Sequence, residues 1–571
     1  MKGCAMRLIL VSCVVFLSLT STYSLDEELT AELGIPTVPL RSDVPTLDLL
    51  KADRTESLVR RATGIGEVSL NTNDQTYYSL ITVGGIAFRV ALDTASSDLW
   101  LLASSCTSAV CKSVPTYPLS YSSPSFVSVN NNATTFNVSF ADTTGSSGFL
   151  ARESVRLLNF TVEDQVFGLV DSSNVTLKNQ VSGILGFGFP RLSTLSPLTT
   201  NSTPFINALA QTGQLDYPLF GLSLTHNDTG SLSLGAIDAS VVHNASNIEW
   251  NKVVPFSPFG LESNTSRYLQ WAIRLSQIMV NATQVTPQPT YPDITESSLA
   301  LFDVGTNGIF GPYQDVARIF DLIPTSRLVD ADAGVWAVPC DTAETMIFIF
   351  GRQNFTLQPT DFLIGPAAGN PNLCLSWPQA TPPSSDGIDW QFGTPFLRTV
   401  YSIFSYGINK KEPPMIGLYA LHNDTTLTDT PASVSSYFAV NSATIATTLP
   451  NFPLSTPSLT APTYAFNTSV PASVGQLVQA DLGTSTYSPI LAPTANASEI
   501  PTVSPSPTLT TVVLTSSGIV ITTTSHAGTP SVRLGVPPGA SSGISLKIPT
   551  LHAYAVATSL MAISAGMMLI W

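Results

Sequence analysis

The sequence predicts an all-β protein, mainly strands with short helices, built as two similar lobes around a duplicated motif. Residues 88–96 read FRVALDTAS, an apolar strand that runs into an acid and small hydroxyl residues, and residues 299–306 read LALFDVGT. An apolar segment that closes on glycine follows each copy at a similar distance, GILG at 183–186 and WQFG at 390–393. One such turn alone is usually an ordinary Asx or Ser/Thr turn after a strand. Two copies with matching surroundings indicate two lobes that each supply one carboxylate.

Turn residues and period-two patterns predict the elements of the first lobe. Residues 77–83 and 86–92 predict two strands around a Gly84-Gly85 turn, and the second strand delivers Asp93. Further predicted elements are a hairpin with strands at 134–141 and 149–158, an apolar segment at 183–190, a short helix at 204–213 that ends at glycine, and a strand at 230–238.

The second lobe repeats part of this pattern. Its apolar run delivers Asp303, and the following residues predict a helix at 311–320. The last strands of the lobe are predicted at 390–398 and 416–420.

The paired motifs resemble those of the pepsin-like aspartic proteases, over approximately residues 68–421. The resemblance implies a bilobal double β-barrel with lobes at 62–250 and 251–421 and an active-site cleft between them. It also implies that Asp93 and Asp303 activate a water for attack on a peptide bond, with no metal or cofactor. The flanking regions make the chain similar to the glycosylphosphatidylinositol-anchored, yapsin-like members found on fungal cell surfaces.

The resemblance assigns supporting roles to the residues beside the two acids. Ser96 and Thr306 should bond the outer carboxylate oxygens, Gly305 should line the second acid, and Thr94 should reach the opposite catalytic loop. In the family a hydroxyl at position 304 makes the reciprocal bond, and here it is Val304. One lost hydrogen bond of this kind costs about 0.5–1.5 kcal/mol, which loosens the site without removing its chemistry.

Two other positions near the acids depart from the family pattern. Ala95 stands where the family usually has glycine, so it keeps the backbone N–H but adds a methyl group. Thr394 stands where the family commonly has an aspartate.

The second predicted hairpin of the first lobe resembles the flap that closes over bound peptide, although an ordinary surface hairpin would show the same pattern. Its tip contains Phe140, Ala141, Thr144 and Gly145. The family places a tyrosine there, bonded to a tryptophan indole, whereas this chain offers Phe140 or Ala141. Trp100, the expected indole partner, must then satisfy its N–H elsewhere.

Four cysteines predict two disulfides in an exported protein. Cys106 and Cys111 are close in sequence and should close a small loop, while Cys340 and Cys374 should close a long loop of the second lobe. No metal site is expected at the first pair, because neither a histidine nor a second cysteine pair lies nearby.

The chain is acidic and contains few charges. It has 24 Lys and Arg residues against 39 Asp and Glu residues, a net charge of −15, and 11% charged residues. Nucleic acid is therefore not expected as a partner, because few cations could neutralise phosphates. The expected partners are peptide and protein substrates, with a monomeric enzyme that pepstatin inhibits if it is active.

The N-terminus predicts export followed by processing. Residues 1–24 contain two basic residues, a short apolar run and small polar residues, which is typical of a secretory signal peptide. An uncleaved membrane anchor is the alternative, and the short apolar run disfavours it. Residues 25–61 end at Arg60-Arg61, which is either a processing site or an ordinary exposed basic pair. The resemblance implies a pro-segment that covers the cleft until it is removed.

The C-terminus predicts a stalk and an anchor. Residues 422–540 are rich in Ser, Thr and Pro and poor in charge, which indicates a disordered, O-glycosylated stalk or a plain linker. Residues 541–571 fit a glycosylphosphatidylinositol attachment signal, because small residues around the candidate attachment residue Ser541 are followed by a spacer and an apolar tail. A retained transmembrane helix is the alternative, although no basic residues follow the tail.

These signals together predict passage through the secretory pathway to the plasma membrane or cell wall, with possible release outside the cell. Sequons for N-glycosylation occur at Asn132, Asn137, Asn159, Asn174, Asn201, Asn227, Asn244, Asn264, Asn281, Asn354, Asn423, Asn467 and Asn496.

The predicted function is hydrolysis of extracellular or cell-wall proteins at acidic pH. Two adjacent carboxylates share one proton because both cannot ionise cheaply, and the singly protonated pair dominates in acid. A catalytically impaired pepsin-like protein that binds peptides or wall components is the first alternative, motivated by Ala95, Val304 and the missing flap tyrosine. The second alternative, a structural wall glycoprotein, leaves the duplicated acid turns unexplained.

Overall fold

The computed structural model describes the chain from residue 61 onward, with gaps. The described residues are 61–71, 76–225, 230–255, 268–293, 295–368, 370–408, 411–421, 429–441, 449–464, 486–491, 499–505, 509–516, 519–526 and 532–539. The predicted signal peptide, the predicted pro-segment up to Arg60 and the predicted attachment residue Ser541 lie outside this set. So do the sequons at Asn227, Asn264, Asn423, Asn467 and Asn496.

Strands dominate the described chain and fall into two long runs. The first run is β1 (Gly64–Asn71), β2 (Thr76–Val83), β3 (Ile86–Asp93), β4 (Leu99–Leu102), β5 (Val127–Ser128), β6 (Thr135–Ser139), β7 (Gly145–Leu157), β8 (Phe160–Ser173), β9 (Val181–Gly186), β10 (Leu219–Ser223), β11 (Gly230–Leu234), β12 (Ile237–Asp238) and β13 (Glu249–Lys252). The second run is β14 (Ala272–Val280), β15 (Thr283–Val285), β16 (Leu299–Phe302), β17 (Ile309–Pro312), β18 (Arg327–Asp330), β19 (Val335–Pro339), β20 (Met346–Phe350), β21 (Gln353–Leu357), β22 (Leu363–Ala367), β23 (Asn370–Ser376), β24 (Gln379–Thr381), β25 (Trp390–Phe392), β26 (Val400–Ser405) and β27 (Met415–Ala420). Later strands are β28 (Thr502–Val503), β29 (Leu509–Ser516) and β30 (Ile519–His526).

Helices are short throughout the described ranges. They are α1 (Phe205–Gln211), α2 (Tyr313–Phe320), α3 (Pro359–Phe362), α4 (Thr394–Leu397) and α5 (Pro431–Asn441), with 3₁₀ turns at Val110–Lys112, Val129–Asn132, Pro190–Leu192 and Ala245–Asn247. The helices α1 and α2 are the two that the sequence predicted. Within the described part of the chain, no helix has both the length and the apolar character needed to span a membrane.

The largest sheet joins the first run of strands to the end of the second. Its order is β13-β27-β26-β10-β11-β1-β2-β3-β9-β4-β8-β7-β5, with β6 paired to β7. Strand β26 pairs with β10 so that Phe404 lies opposite Phe220, and the two rings stack with centroids 4.8 Å apart. The chain after Val400 is therefore hydrogen-bonded to strands of the first lobe.

Two other sheets form the rest of the second lobe. One has the order β21-β20-β14-β16-β25-β17-β24 with β15 paired to β14, and the other has the order β18-β19-β23-β22. The prediction of a mainly β, two-lobed pepsin-like fold is confirmed.

The strands that deliver the two acids are built alike, as the duplicated motif predicts. Strand β3 runs parallel to β9, with Asp93 opposite Gly186, and β16 runs parallel to β25, with Phe302 opposite Phe392. The tight turn from β2 into β3 needs left-handed backbone at Gly84 and Gly85, whose φ angles are 58° and 80°.

An aromatic cluster fills the space between the lobes behind the acids. The Phe187 carbonyl accepts hydrogen bonds from Trp271 Nε1 at 3.0 Å and from Tyr406 Oη at 2.8 Å. Trp271 also packs on Phe404 with ring centroids 5.2 Å apart. All four side chains are buried, so this core ties the segment just after β9 to the chain beside β14 and β26.

Both predicted disulfides are present. Cys106 and Cys111 are bonded with Cα atoms 5.9 Å apart, and Cys340 and Cys374 are bonded with Cα atoms 4.9 Å apart. The second bond links β23 to the chain just after β19, which are already neighbours in one sheet.

Parts of the Ser/Thr/Pro-rich region pack on the protease body, in contrast to the extended stalk that its composition predicted. Tyr487 and Ile500 are buried with exposed fractions of 3% and 4%. The Tyr487 hydroxyl donates to the Leu215 carbonyl at 2.8 Å, and β28 pairs in parallel with β12. Val434 and Phe438 of α5 also join the main core. A few apolar residues are enough to dock a chain whose average composition is polar.

Candidate active site

Asp93 and Asp303 lie at the ends of equivalent strands and are almost fully buried. Their exposed fractions are 8% and 5%. The Asp93 carbonyl accepts a hydrogen bond from the Phe187 N–H at 2.7 Å, and the Asp303 N–H donates to the Phe392 carbonyl at 3.0 Å. Each acid is therefore fixed by the apolar-Gly segment that follows its own motif.

The first carboxylate accepts two hydrogen bonds from its own loop. The Ala95 N–H donates to Asp93 Oδ1 at 2.9 Å, and the Ser96 hydroxyl donates to Asp93 Oδ2 at 2.5 Å. Alanine in place of the family's glycine thus keeps the backbone donor that the site uses.

The second carboxylate accepts the same pair of bonds in the same places. The Gly305 N–H donates to Asp303 Oδ1 at 2.9 Å, and the Thr306 hydroxyl donates to Asp303 Oδ2 at 2.6 Å. A side chain at position 305 would place its Cβ 3.0 Å from Asp93 Oδ1 and 3.2 Å from Asp303 Oδ1. A side chain at position 305 would therefore crowd the inner oxygens of both acids.

The proximity of the two acids changes their protonation. Burial and the neighbouring charge of Asp303 together raise the pKa of Asp93 to about 7, against the opposing effect of the Ser96 and Ala95 hydrogen bonds. The two carboxyl groups are neighbours, since Asp93 Oδ1 and Asp303 Oδ1 both lie within 3.2 Å of the Cβ position at residue 305. One proton is therefore shared by a buried pair, which is the arrangement that lets one carboxyl act as acid and the other as base.

One cross-link joins the two acid loops. The buried Thr94 hydroxyl donates to the Phe302 carbonyl at 3.0 Å and accepts from the Val304 N–H at 3.0 Å. Val304 has no hydroxyl to make the reciprocal bond. Thr394, in the position where the family commonly has an aspartate, is fully buried and donates its N–H to the Thr306 carbonyl at 2.8 Å.

Gln391 is a polar neighbour of the acids that the sequence analysis did not single out. Its Nε2 lies 3.0 Å from Asp303 Oδ2 and 2.6 Å from Thr306 Oγ1. The signal in the sequence was a polar residue inside WQFG, where the first copy reads GILG.

The segment predicted as the flap forms the hairpin β6–β7. Its tip is closed by the Phe140 N–H, which donates to the Thr144 carbonyl at 2.8 Å, and Gly145 begins the return strand. Phe140 packs on Trp100 with ring centroids 6.5 Å apart, whereas Ala141 is exposed. Of the two candidates for the family's tyrosine position, Phe140 is the one that contacts Trp100.

The comparisons agree with this geometry. A family model described as Eukaryotic aspartyl protease matches residues 76–412, which is more than half of the chain. The chain belongs to the eukaryotic aspartyl protease family. This protease is a peptide hydrolase, specifically an aspartic endopeptidase.

Several curated proteins are similar to the protease over most of their length. An "Aspartic protease" of Phaffia rhodozyma is 27% identical over 67% of this chain and 92% of that protein. "Major aspartyl peptidase 1" of Cryptococcus neoformans var. grubii is 27% identical over 61% of this chain and 70% of that protein. "Cathepsin E" of Mus musculus is 27% identical over 61% of this chain and 81% of that protein.

Other predicted site residues lie on the surface of the protease. Arg61 is exposed, and its guanidinium lies over the Tyr487 ring, 4.2 Å from the ring centroid. Every sequon asparagine within the described ranges is exposed, namely Asn132, Asn137, Asn159, Asn174, Asn201, Asn244, Asn281 and Asn354. No group of three or more His, Cys, Asp or Glu residues is arranged to hold a metal ion within these ranges.

Proposed function

We propose that this protease cleaves extracellular or cell-wall proteins at acidic pH, with Asp93 and Asp303 as its catalytic pair. The observation that carries the proposal is the matched set of donors around two adjacent, buried carboxyl groups. Such a set orients both carboxyls toward a common point and lets the pair hold a single proton.

The proposed reaction needs only the two acids and a water. The ionised carboxyl removes a proton from a water held between the pair, and the water oxygen attacks the peptide carbonyl carbon. The protonated carboxyl donates its proton to the carbonyl oxygen, which gives a tetrahedral diol. Collapse of the diol breaks the C–N bond as the amine takes a proton from the pair, and a diol hydroxyl returns its proton to the pair as the product carboxyl forms. The raised pKa of Asp93, to about 7, lets the pair hold its single proton in acid.

The proposed location is the cell surface, through a glycosylphosphatidylinositol anchor that follows the stalk. The support is the predicted signal peptide, the predicted attachment signal at Ser541 and the exposure of the described sequons. Two of the similar proteins come from the fungi Phaffia rhodozyma and Cryptococcus neoformans, in keeping with a yapsin-like fungal enzyme. Release of the protein from cells by a phosphatidylinositol-specific phospholipase would test the anchor.

A catalytically impaired, peptide-binding protein is the second candidate. Its support is Val304, which leaves the loop cross-link one-sided, and Phe140, which cannot supply the family's flap hydroxyl. Neither change removes a group that touches the shared proton, so we favour the enzyme.

The test compares the secreted, processed chain with its Asp303→Asn variant on casein and on a mixed peptide library at about pH 4. The matched control is Asp332→Asn, an exposed aspartate far from the motif. We expect cleavage by the wild type and the control, loss of at least about a thousandfold in Asp303→Asn, and inhibition by pepstatin. Folded, processed protein that binds peptide but cleaves none would favour the second candidate.

A further inference from the structure

The two carboxylates differ in one donor, although their loops otherwise match. Asp93 Oδ2 accepts from Ser96 Oγ, while Asp303 Oδ2 accepts from both Thr306 Oγ1 and Gln391 Nε2, the latter at 3.0 Å. The extra donor lies on the outer oxygen of only one member of the pair.

The internal duplication identifies the residue that Gln391 replaces. In the first lobe Asp93 pairs with Gly186. Two positions earlier on both strands, Ala91 pairs with Ile184. In the second lobe Leu301 lies opposite Gln391 in the same relation to Asp303. Isoleucine at the first position offers no donor, so the asymmetry between the acids comes from this single side chain.

Gln391 has little freedom to leave its place. Its strand β25 pairs on one side with β16 and on the other with β17, where Phe310 is its partner. Two ladders therefore fix the backbone beneath the side chain.

The bonding pattern also fixes which end of the amide faces the acid. An ionised carboxylate only accepts hydrogen bonds, so the Gln391 NH₂ group must face Asp303. The Thr306 hydroxyl uses its hydrogen for Asp303 Oδ2 and therefore accepts from Gln391 Nε2, at 2.6 Å. These two donors leave Asp303 Oδ2 as an acceptor and stabilise negative charge on it.

We propose that Gln391 is a positioning residue that keeps Asp303 as the ionised member of the pair and leaves the shared proton on Asp93. This inference rests on the proposed function, because it concerns how the same pair divides its proton. The charged group that faces Asp303 is Asp93 across the two loops, while Gly305, Thr306 and Gln391 are neutral. A donor to the charged form favours ionisation, so Gln391 extends activity to lower pH.

The test is the pH profile of kcat/KM for the secreted, processed chain with Gln391→Met, which keeps the length of the side chain and removes the donor. We expect the acid limb to move up by about one pH unit. The control is Gln379→Met on β24, which pairs with the same Phe310 from the other side and should leave the profile unchanged. An acid limb in Gln391→Met that coincides with that of the wild type would overturn the proposal.

A second variant and a second measurement test the role of Gln391 even if Gln391→Met folds poorly or the protein cleaves no peptide. Gln391→Asn retains an amide that is one methylene too short to reach Asp303, and it should shift the acid limb as Gln391→Met does. Aspartates labelled with ¹³C at Cγ can be titrated by NMR, with Asp303→Asn as the reference for assignment. The pair loses its two protons at two midpoints, and the lower of these should rise in both variants. A shifted midpoint in a protein that cleaves nothing would uphold Gln391 while refuting the proposed function. An unshifted midpoint in an active enzyme would refute Gln391 alone.

Discussion

The Thr94 hydroxyl and the Val304 N–H lie 3.0 Å apart and join the two acid loops in one direction only. The same hydroxyl donates to the Phe302 carbonyl, also at 3.0 Å. All three residues are buried. Because Val304 has no hydroxyl to return the bond, the Thr94 side chain makes this contact without the second hydroxyl that the duplicated fold could supply.

Thr94→Val should therefore destabilise the protease strongly, although the two side chains have the same shape. It leaves a buried N–H and a buried carbonyl without their partner, at a cost of about 2–4 kcal/mol in the free energy of unfolding. Urea unfolding would measure this. Thr399→Val is the control, because Thr399 is also buried but its hydroxyl makes one local bond, to the Phe396 carbonyl, and it should cost about 1 kcal/mol. Equal losses in the two variants would contradict the special role of Thr94.

Phe140→Ala should lower the kcat/KM for peptide cleavage without unfolding the protein. Phe140 packs on Trp100 at the flap tip, and its ring is the apolar surface that would cover bound peptide. Loss of that surface should lower kcat/KM by about tenfold, mainly through a higher KM. Phe140→Leu should retain most of the activity, as an apolar side chain remains. Unchanged kinetics in Phe140→Ala would mean that the β6–β7 hairpin does not act as a flap.

Local patterns predicted much of the fold and the site. An acid after an apolar run, a Gly-Gly turn and paired cysteines act over short stretches of chain, so Asp93, Asp303, the β2–β3 hairpin and both disulfides could be identified from sequence. The hairpin predicted as the flap is present, but the choice between Phe140 and Ala141 depended on the turn geometry, which places Phe140 against Trp100.

Two features depended on contacts that sequence patterns do not show. Gln391 occupies a strand that reads as apolar, and its role appears only when strand register places it beside Asp303. The C-terminal segments were missed because composition averages over many residues, whereas docking depends on a few, such as Tyr487 and Ile500.

Truncation after residue 421 should destabilise the catalytic domain. Glu412 is fully buried, and its Oε2 accepts from the Ile490 N–H at 3.1 Å and the Leu491 N–H at 2.7 Å. Removing these donors from a buried carboxylate should cost about 2–4 kcal/mol in unfolding free energy, measured as a lower Tm. A chain that ends after Gly539 is the control and should retain its Tm.

The Glu412 contribution can be separated from general loss of packing. Glu412→Gln in the chain that ends at residue 421 should recover part of the lost Tm. A buried neutral amide that lacks hydrogen-bond donors costs less free energy than a buried carboxylate that lacks them. In the chain that ends at Gly539 the same substitution should lower the Tm. The same effect in both chains would contradict the role assigned to Ile490 and Leu491.

The free energy of unfolding of the protease should decrease as the pH rises from about 4 to about 7. An aspartate in the unfolded chain titrates near 3.9, whereas burial and the charge of Asp303 raise the pKa of Asp93 to about 7. The folded state therefore binds more protons in this window, and its stability decreases as the pH rises, by up to about 4 kcal/mol from this group. Below about pH 4 both states are protonated at Asp93, so this contribution is then fully present. Urea unfolding across the window should show the decline in the wild type and a shallower one in Asp93→Asn, and equal slopes would show that Asp93 does not hold the shared proton.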